Sequence, residues 1–276
     1  MSTGAEQPGT GIAGSATIII PARLGSSRFP GKVLASETGK PLVQHVAEGA
    51  GRARCAARVV VATDSPRVRD ALASFGTEVV MTSPDHANGT SRLAEAARVL
   101  GLAPEAIVVN AQGDEPEMPG PVIDAAVAAL VEGGAGGAGG AGGAGVSIGT
   151  AAAPLGDPGE AVNPNVVKVV RDLRGRALYF SRAAIPHDRD GTRDPAAAPL
   201  RHVGVYAYRR AFLEAYAALP ATPLERSEQL EQLRALEHGH GIAVALVPAA
   251  HAGIDTPEQY AAFVVRWRAA RARAGG

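Results

Sequence analysis

The chain has 276 residues, 46% of them hydrophobic, with 27 cationic and 27 acidic side chains. That length supports one large α/β domain, and zero net charge lacks the cationic excess of a nucleic-acid-binding protein, so any anion site must be built locally. A single cysteine, Cys55, allows no internal disulfide; without a secretory signal in residues 1–15 or an apolar run of membrane-spanning length, a soluble cytoplasmic protein is expected.

Residues 1–15 are rich in Gly, Ser and Thr and read as a disordered start to a single domain over 16–276. Thr17–Ile20, Arg58–Ala62, Glu78–Met81 and Ala106–Asn110 read as strands. They are Val/Ile-rich without polar alternation, as strands buried on both faces are. Pro41–Ala53, Pro66–Phe75 and Thr90–Leu100 read as the amphipathic helices between them. This alternation predicts a mostly parallel sheet with helices on both faces.

A helix from Pro121 runs into a Gly/Ala tract at 133–145, expected to be a flexible insert before a strand at Val146–Thr150. From Asn163 the pattern changes. Val166–Val170, Ala177–Ser181 and Leu200–Tyr208 read as longer strands with more aromatic residues. They predict a smaller, partly antiparallel subdomain over 163–215. A helix at Leu224–His238, a strand at Ile242–Val247 and a final helix after Asp255-Thr256-Pro257 complete the chain. Arg266, Arg268, Arg271 and Arg273 fall in the last turns of that helix, where cations are favoured.

Five places carry candidate chemistry. After the first strand comes Pro21-Ala-Arg-Leu-Gly-Ser-Ser-Arg-Phe-Pro-Gly-Lys32. Its glycines let backbone approach a polyphosphate, and Arg23, Arg28 and Lys32 would neutralise it. It is neither a Walker loop nor a dinucleotide fingerprint. After the fourth strand comes Asn110-Ala-Gln-Gly-Asp-Glu-Pro116, where Asp114 is placed to hold magnesium against phosphates. Asp255 is a second metal candidate, and reads equally well as a helix cap. Arg92 could face a base or phosphate or simply be solvated, and Arg182 suits a bidentate grip on a sugar carboxylate or a structural role.

Together these segments resemble the 3-deoxy-manno-octulosonate (Kdo) cytidylyltransferases, from about Ile18 to Gln259. The first loop, VVVATD (59–64), DHANGTSRLAE (85–95) and VNAQGDEP (109–116) come in the family's order. NPNVVKVV (163–170), ALYFSRAAIP (177–186), LRHVGVYAYRR (200–210), LEQLRALEHG (230–239) and GIDTPEQ (253–259) follow. The sequence departs from the pattern at His187, where the family has Trp, and in the Gly/Ala tract.

The resemblance implies a Rossmann-like nucleotidyltransferase fold and the reaction CTP + Kdo giving CMP-Kdo and pyrophosphate, for lipopolysaccharide-type glycans. It implies Ala22, Arg23, Ser27 and Lys32 at the nucleotide phosphates, and Ala62, Asp64 and Arg92 at the cytidine. Gln112 would touch both substrates. Arg182, His202, Tyr206, Glu231 and Gln232 would hold the sugar acid. Arg23, Lys32, Asp114 and Asp255 would be catalytic, with the two aspartates ligating Mg²⁺. It further implies a homodimer formed through the smaller region. A related sugar (8-amino-Kdo or sialic acid) and a non-catalytic nucleotide-binding protein stand as alternatives.

Overall fold

The computed structural model describes residues 10–25, 28–86, 88–135, 145–192, 194–249 and 253–274. One half of its sheet is parallel: β1 (Ala16–Ala22), β2 (Ala56–Thr63), β3 (Glu78–Met81) and β4 (Ile107–Asn110). Successive side chains point to opposite faces, and both faces are covered. Ile18, Ile20 and Val61 pack with α1 (Leu42–Ala50), α2 (Pro66–Ala73) and α4 (Gly120–Ala135). Ile19, Val60 and Ala62 pack with α3 (Gly89–Val99) on the other side.

In the second half, β8 (Leu200–Arg209) runs antiparallel between β4 and β5 (Val146–Pro154), and β5 pairs in parallel with β9 (Gly241–Leu246). The order is β3-β2-β1-β4-β8-β5-β9. β6 (Lys168–Arg171) and β7 (Ala177–Ser181) form a hairpin on the start of β8. The antiparallel region over 163–215 is therefore continuous with the main sheet. β8 sits in the middle because it is apolar on both sides: Val203, Val205 and Ala207 enter one core cluster and Tyr208 the other.

Several boundaries differ from expectation. Thr10–Ile12 form a 3-10 turn with Ile12 buried, so ordered structure begins before residue 16. Gly133–Ala135 continue α4, while residues 1–9 and 136–144 lie outside the described residues. A helix that the sequence reading passed over, α5 (Arg210–Ala218), follows β8 directly. The expected helix at Leu224–His238 is two short ones, α6 (Pro223–Glu228) and α7 (Gln232–Glu237), broken at Gln229, which takes φ 54° and ψ 49°. The last helix, α8 (Pro257–Ala274), packs Tyr260, Phe263 and Val264 against Leu42 and Ile254. No helix among the described residues is long and apolar enough to cross a membrane.

Candidate active site

The loops after β1 and β4 meet at the carboxyl edge of the parallel strands, where open α/β sheets bind ligands. Their close approach depends on Gly113, since a Cβ there would lie 2.7 Å from the Pro21 carbonyl oxygen. A third segment joins them when the Ile254 amide donates to the Asp114 carbonyl at 2.8 Å. Lys32 ties all three together. Its Nζ donates to Asp114 Oδ2 at 2.7 Å, Asp255 Oδ1 at 2.9 Å and the Ile254 carbonyl at 3.0 Å. Arg28 Nη2 lies 2.9 Å from Asp255 Oδ2. Burial disfavours the Lys32 charge, but Asp114 and Asp255 outweigh it and hold its pKa above the ordinary lysine value.

Asp255 does not cap α8. Thr256 does: its hydroxyl accepts the Gln259 amide at 3.3 Å, and Gln259 Oε1 accepts the Thr256 amide at 3.0 Å. This reciprocal pair is a capping box. The Asp255 carboxylate is left to converge with Asp114 on one ammonium. Two carboxylates in one place have the donor chemistry for a hard divalent cation completed by substrate oxygens and water. No cluster of three or more His, Cys, Asp or Glu side chains among the described residues could hold a metal.

Two cavities open from this point. The first, about 460 Å³, is lined by Ala22, Arg23, Arg28, Lys32, Arg92 and Asp114, with Asp255 and His86 also on its wall. The second, about 400 Å³, is lined by Arg182, Tyr206, Tyr208, Tyr216, Gln229 and Gln232. Gly89, Gln112 and Glu231 line both.

Most of the expected site residues are thus brought together, and the others are placed as follows. Ala62 is fully buried in β2, and Asp64 at the end of that strand lies 3.2 Å from Arg92 Nη1. Neither lines either of these two cavities; Arg92, which also donates to Thr82 Oγ1 at 2.6 Å, lines the first. Ser27 lies outside the described residues. His202 lines neither cavity. It packs edge-on against Phe180 and tilted against Tyr206, with Nε2 3.0 Å from Thr150 Oγ1. The Thr150 hydroxyl donates to the Val205 carbonyl at 2.7 Å, so His202 is the donor in their shared bond. Burial pushes its pKa down to about 3, so it is a neutral brace behind Tyr206.

Arg182 reaches the second cavity already anchored. Its Nε donates to the Glu228 carbonyl at 2.7 Å and Nη1 to the Pro164 carbonyl at 2.9 Å. Its own amide donates to Glu228 Oε2 at 2.9 Å. Beneath it the fully buried Lys168 donates to the carbonyls of Asn163, Val166 and Arg182 at 2.9, 2.6 and 2.6 Å. Lys168→Met is expected to orphan these carbonyls and cost about 1–3 kcal/mol. The loosened wall should weaken ligand binding in the second cavity severalfold and leave binding in the first within twofold. Urea melts and ligand titrations check this, and an unchanged affinity at the second cavity would refute it.

Sequence reasoning missed three contributors. Glu228 organises Arg182, Ser181 and Tyr179. Gln229 places the second cavity's wall through its left-handed backbone. Glu115 carries a buried Oε2 with no hydrogen-bond partner among the described residues. Burial, reinforced by Asp114, pushes its carboxyl up to about 8. Only the adjacency of two acids at 114–115 hinted at it. Gly204 makes room: a Cβ there would lie 3.2 Å from Glu115 Oε1.

A phosphate-suited basic loop, converging carboxylates and a second cavity at a sheet edge are the features of a nucleotidyltransferase. A family model described as Cytidylyltransferase matches residues 17–242. The 3-deoxy-manno-octulosonate cytidylyltransferase of Syntrophobacter fumaroxidans is 51% identical over 89% of this chain and 94% of its own length. That of Neisseria gonorrhoeae is 50% identical over 87% and 93%. A solved structure of CMP:2-keto-3-deoxy-manno-octonic acid synthetase complexed with CTP superposes with a TM-score of 0.80 at 39% identity, covering 92% of this chain and 98% of that one. The chain belongs to the 3-deoxy-manno-octulosonate cytidylyltransferase family. A 4-diphosphocytidyl-2C-methyl-D-erythritol synthase from Anaerococcus prevotii, at 12% identity and a TM-score of 0.55, shares the fold alone.

Proposed function

We propose that this protein joins CTP to 3-deoxy-D-manno-octulosonate, giving CMP-Kdo and pyrophosphate, with Mg²⁺ held by Asp114 and Asp255. The carrying observation is the pair of cavities that share a wall at Gly89, Gln112 and Glu231, one of them with Lys32, Asp114 and Asp255 on its wall. CTP occupies the first cavity, with Arg23, Arg28 and Lys32 neutralising its phosphates. The sugar acid occupies the second, where Arg182 keeps guanidinium N–H groups for its carboxylate and Tyr206 and Gln232 fit its body. Gln112 contacts both.

The sugar's anomeric hydroxyl attacks the α-phosphorus in line, and pyrophosphate leaves. Catalysis is positioning and charge neutralisation, with no covalent enzyme intermediate. Magnesium, when bound, supplies Lewis-acid stabilisation of the phosphate oxygens. Lys32 stabilises negative charge on the leaving group and holds the two carboxylates in register. A homodimer in the cytoplasm belongs to the same reading, resting on the likeness of the 163–215 region to the family's dimer-forming region. Sedimentation velocity gives its oligomeric state.

Pyrophosphate release is the test. With Kdo as acceptor, CTP is expected to support turnover at least tenfold faster than ATP or GTP. Among Kdo, 8-amino-Kdo and sialic acid, Kdo is expected to be the best acceptor. Equal rates with ATP would sink the nucleotide assignment, and preference for another sugar would replace the acceptor.

A further inference from the structure

Ser91 and Glu95 stand one turn apart on α3, at the spacing that puts two side chains on one helix face. The helix itself is fixed, since Leu93, Ala96 and Ala97 are fully buried in the core beside the sheet. His86, in the segment that leads into α3, bridges that face. Its Nδ1 lies 3.1 Å from Ser91 Oγ, and its Nε2 is hydrogen-bonded to Glu95 Oε2. The same Glu95 oxygen accepts the Ser83 amide at 2.9 Å, and Asn88 Oδ1 accepts the Ser91 amide at 2.9 Å. The segment is thus stitched to the helix from Ser83 to Asn88. The His86 bond holds the Glu95 carboxyl below the usual carboxylate range.

This bridge stands on the wall of the first cavity. Three cations there, Arg23, Arg28 and Lys32, come from the loop after β1, whereas His86, Asn88, Gly89 and Arg92 come from the α3 end. A nucleotide whose triphosphate lies on the loop cations leaves its nucleoside to the α3 end. We infer that the His86–Glu95 pair positions that nucleoside: His86 packs its ring against it, and Glu95 acts through His86 by fixing the ring plane. This rests on the reading of the first cavity as the CTP site. With both ring nitrogens engaged, His86 has no donor or acceptor to spare. It offers the nucleoside packing surface instead of a hydrogen bond. A ring locked before the ligand arrives has little freedom left to lose on binding, which favours affinity.

The test separates the two ends of the nucleotide. Calorimetric titrations in magnesium buffer compare CTP, CMP and tripolyphosphate on wild type, His86→Ala, His86→Gln, Glu95→Gln and the His86→Ala/Glu95→Gln double variant. His86→Ala is expected to weaken CMP and CTP roughly tenfold and to leave tripolyphosphate within about twofold. Glu95→Gln should weaken CMP less, with tripolyphosphate again unmoved. His86→Gln should recover part of the loss, because its terminal amide nitrogen can donate to Glu95 where Nε2 does. If the two residues act as one device, the double variant binds CMP as His86→Ala does, within about twofold. Unchanged CMP affinity in His86→Ala, or tripolyphosphate weakened as much as CMP, would overturn the inference; the second result would mark a merely structural role. If His86→Ala proves insoluble, Glu95→Gln decides: unchanged CMP affinity overturns the inference, and a loss confined to CMP and CTP supports it. Failure of the wild type to bind CTP would instead overturn the proposed function.

Discussion

Asp255→Asn is expected to cut turnover by about 10²–10³-fold or more while leaving the fold intact. Asparagine keeps the shape but removes the charge that a divalent cation requires. The cap of α8 is unaffected, because Thr256 and Gln259 make it between themselves. Asp114→Asn should behave alike, since both carboxylates meet on the same ammonium. Two carboxylates alone would repel, and removing one would then stabilise the protein without metal. Lys32 and Arg28 reverse that sign, because each variant loses an attractive partner. Asp255 is partly exposed, so the loss should not exceed about 1 kcal/mol. Magnesium titrations of turnover, beside metal-free melting temperatures, check both halves. Wild-type rate and magnesium response in Asp255→Asn would remove that residue from the site.

How far the fold could be read depended on what each segment packs against. Glu78–Met81 and Ala177–Ser181 form strands at the bounds expected from sequence. These are short runs flanked by glycine or loop residues, whose ends are marked locally. β5 ran on unrecognised through Ala151–Ala153, because alanine carries little strand preference and its burial decides the matter. α5 went unseen because β8 turns into it at Arg209–Arg210 with no glycine or proline between. The break at Gln229 was hidden in a run of good helix formers. It comes from tertiary bonds, with Arg182 drawing on the carbonyls of Glu228 and Gln229.

The site divides in the same way. The basic loop and Asp114 were legible because each follows a buried strand with small residues around it. Asp255 stood between metal ligand and helix cap, although Thr256 and Gln259 have capping-box spacing and could have decided it. The His202 brace, the Lys168 anchor and the Glu115 carboxyl are consequences of desolvation, which composition and spacing do not display.

Lys32→Met should have the largest combined effect, because one side chain serves both the resting structure and the reaction. In the resting protein its ammonium is mostly buried, with 13% of the side chain exposed, between Asp114 and Asp255. Without it the two carboxylates face each other with Arg28 as their remaining cation, itself largely exposed and weakly effective. The metal-free melting temperature should therefore fall. Added magnesium should raise it more than in the wild type, since the cation replaces the missing ammonium and no longer competes with it. Turnover should not return with the fold: Arg23 and Arg28 remain on the cavity wall, but the ammonium fixed by Asp114 and Asp255 is lost to the leaving pyrophosphate, and a loss of roughly 10²–10³-fold is expected. The pH dependence of stability separates this from simple misfolding. Lys32 has a folded pKa above its unfolded value, so its contribution is fully present below the ordinary lysine pKa and disappears as pH rises through the folded one. The wild type should lose stability in that alkaline window, and Lys32→Met should lose less. Melting curves from pH 8 to 11, with and without magnesium, read both effects. Equal melting temperatures for the two proteins across that range, or wild-type turnover in the variant, would detach Lys32 from Asp114 and Asp255.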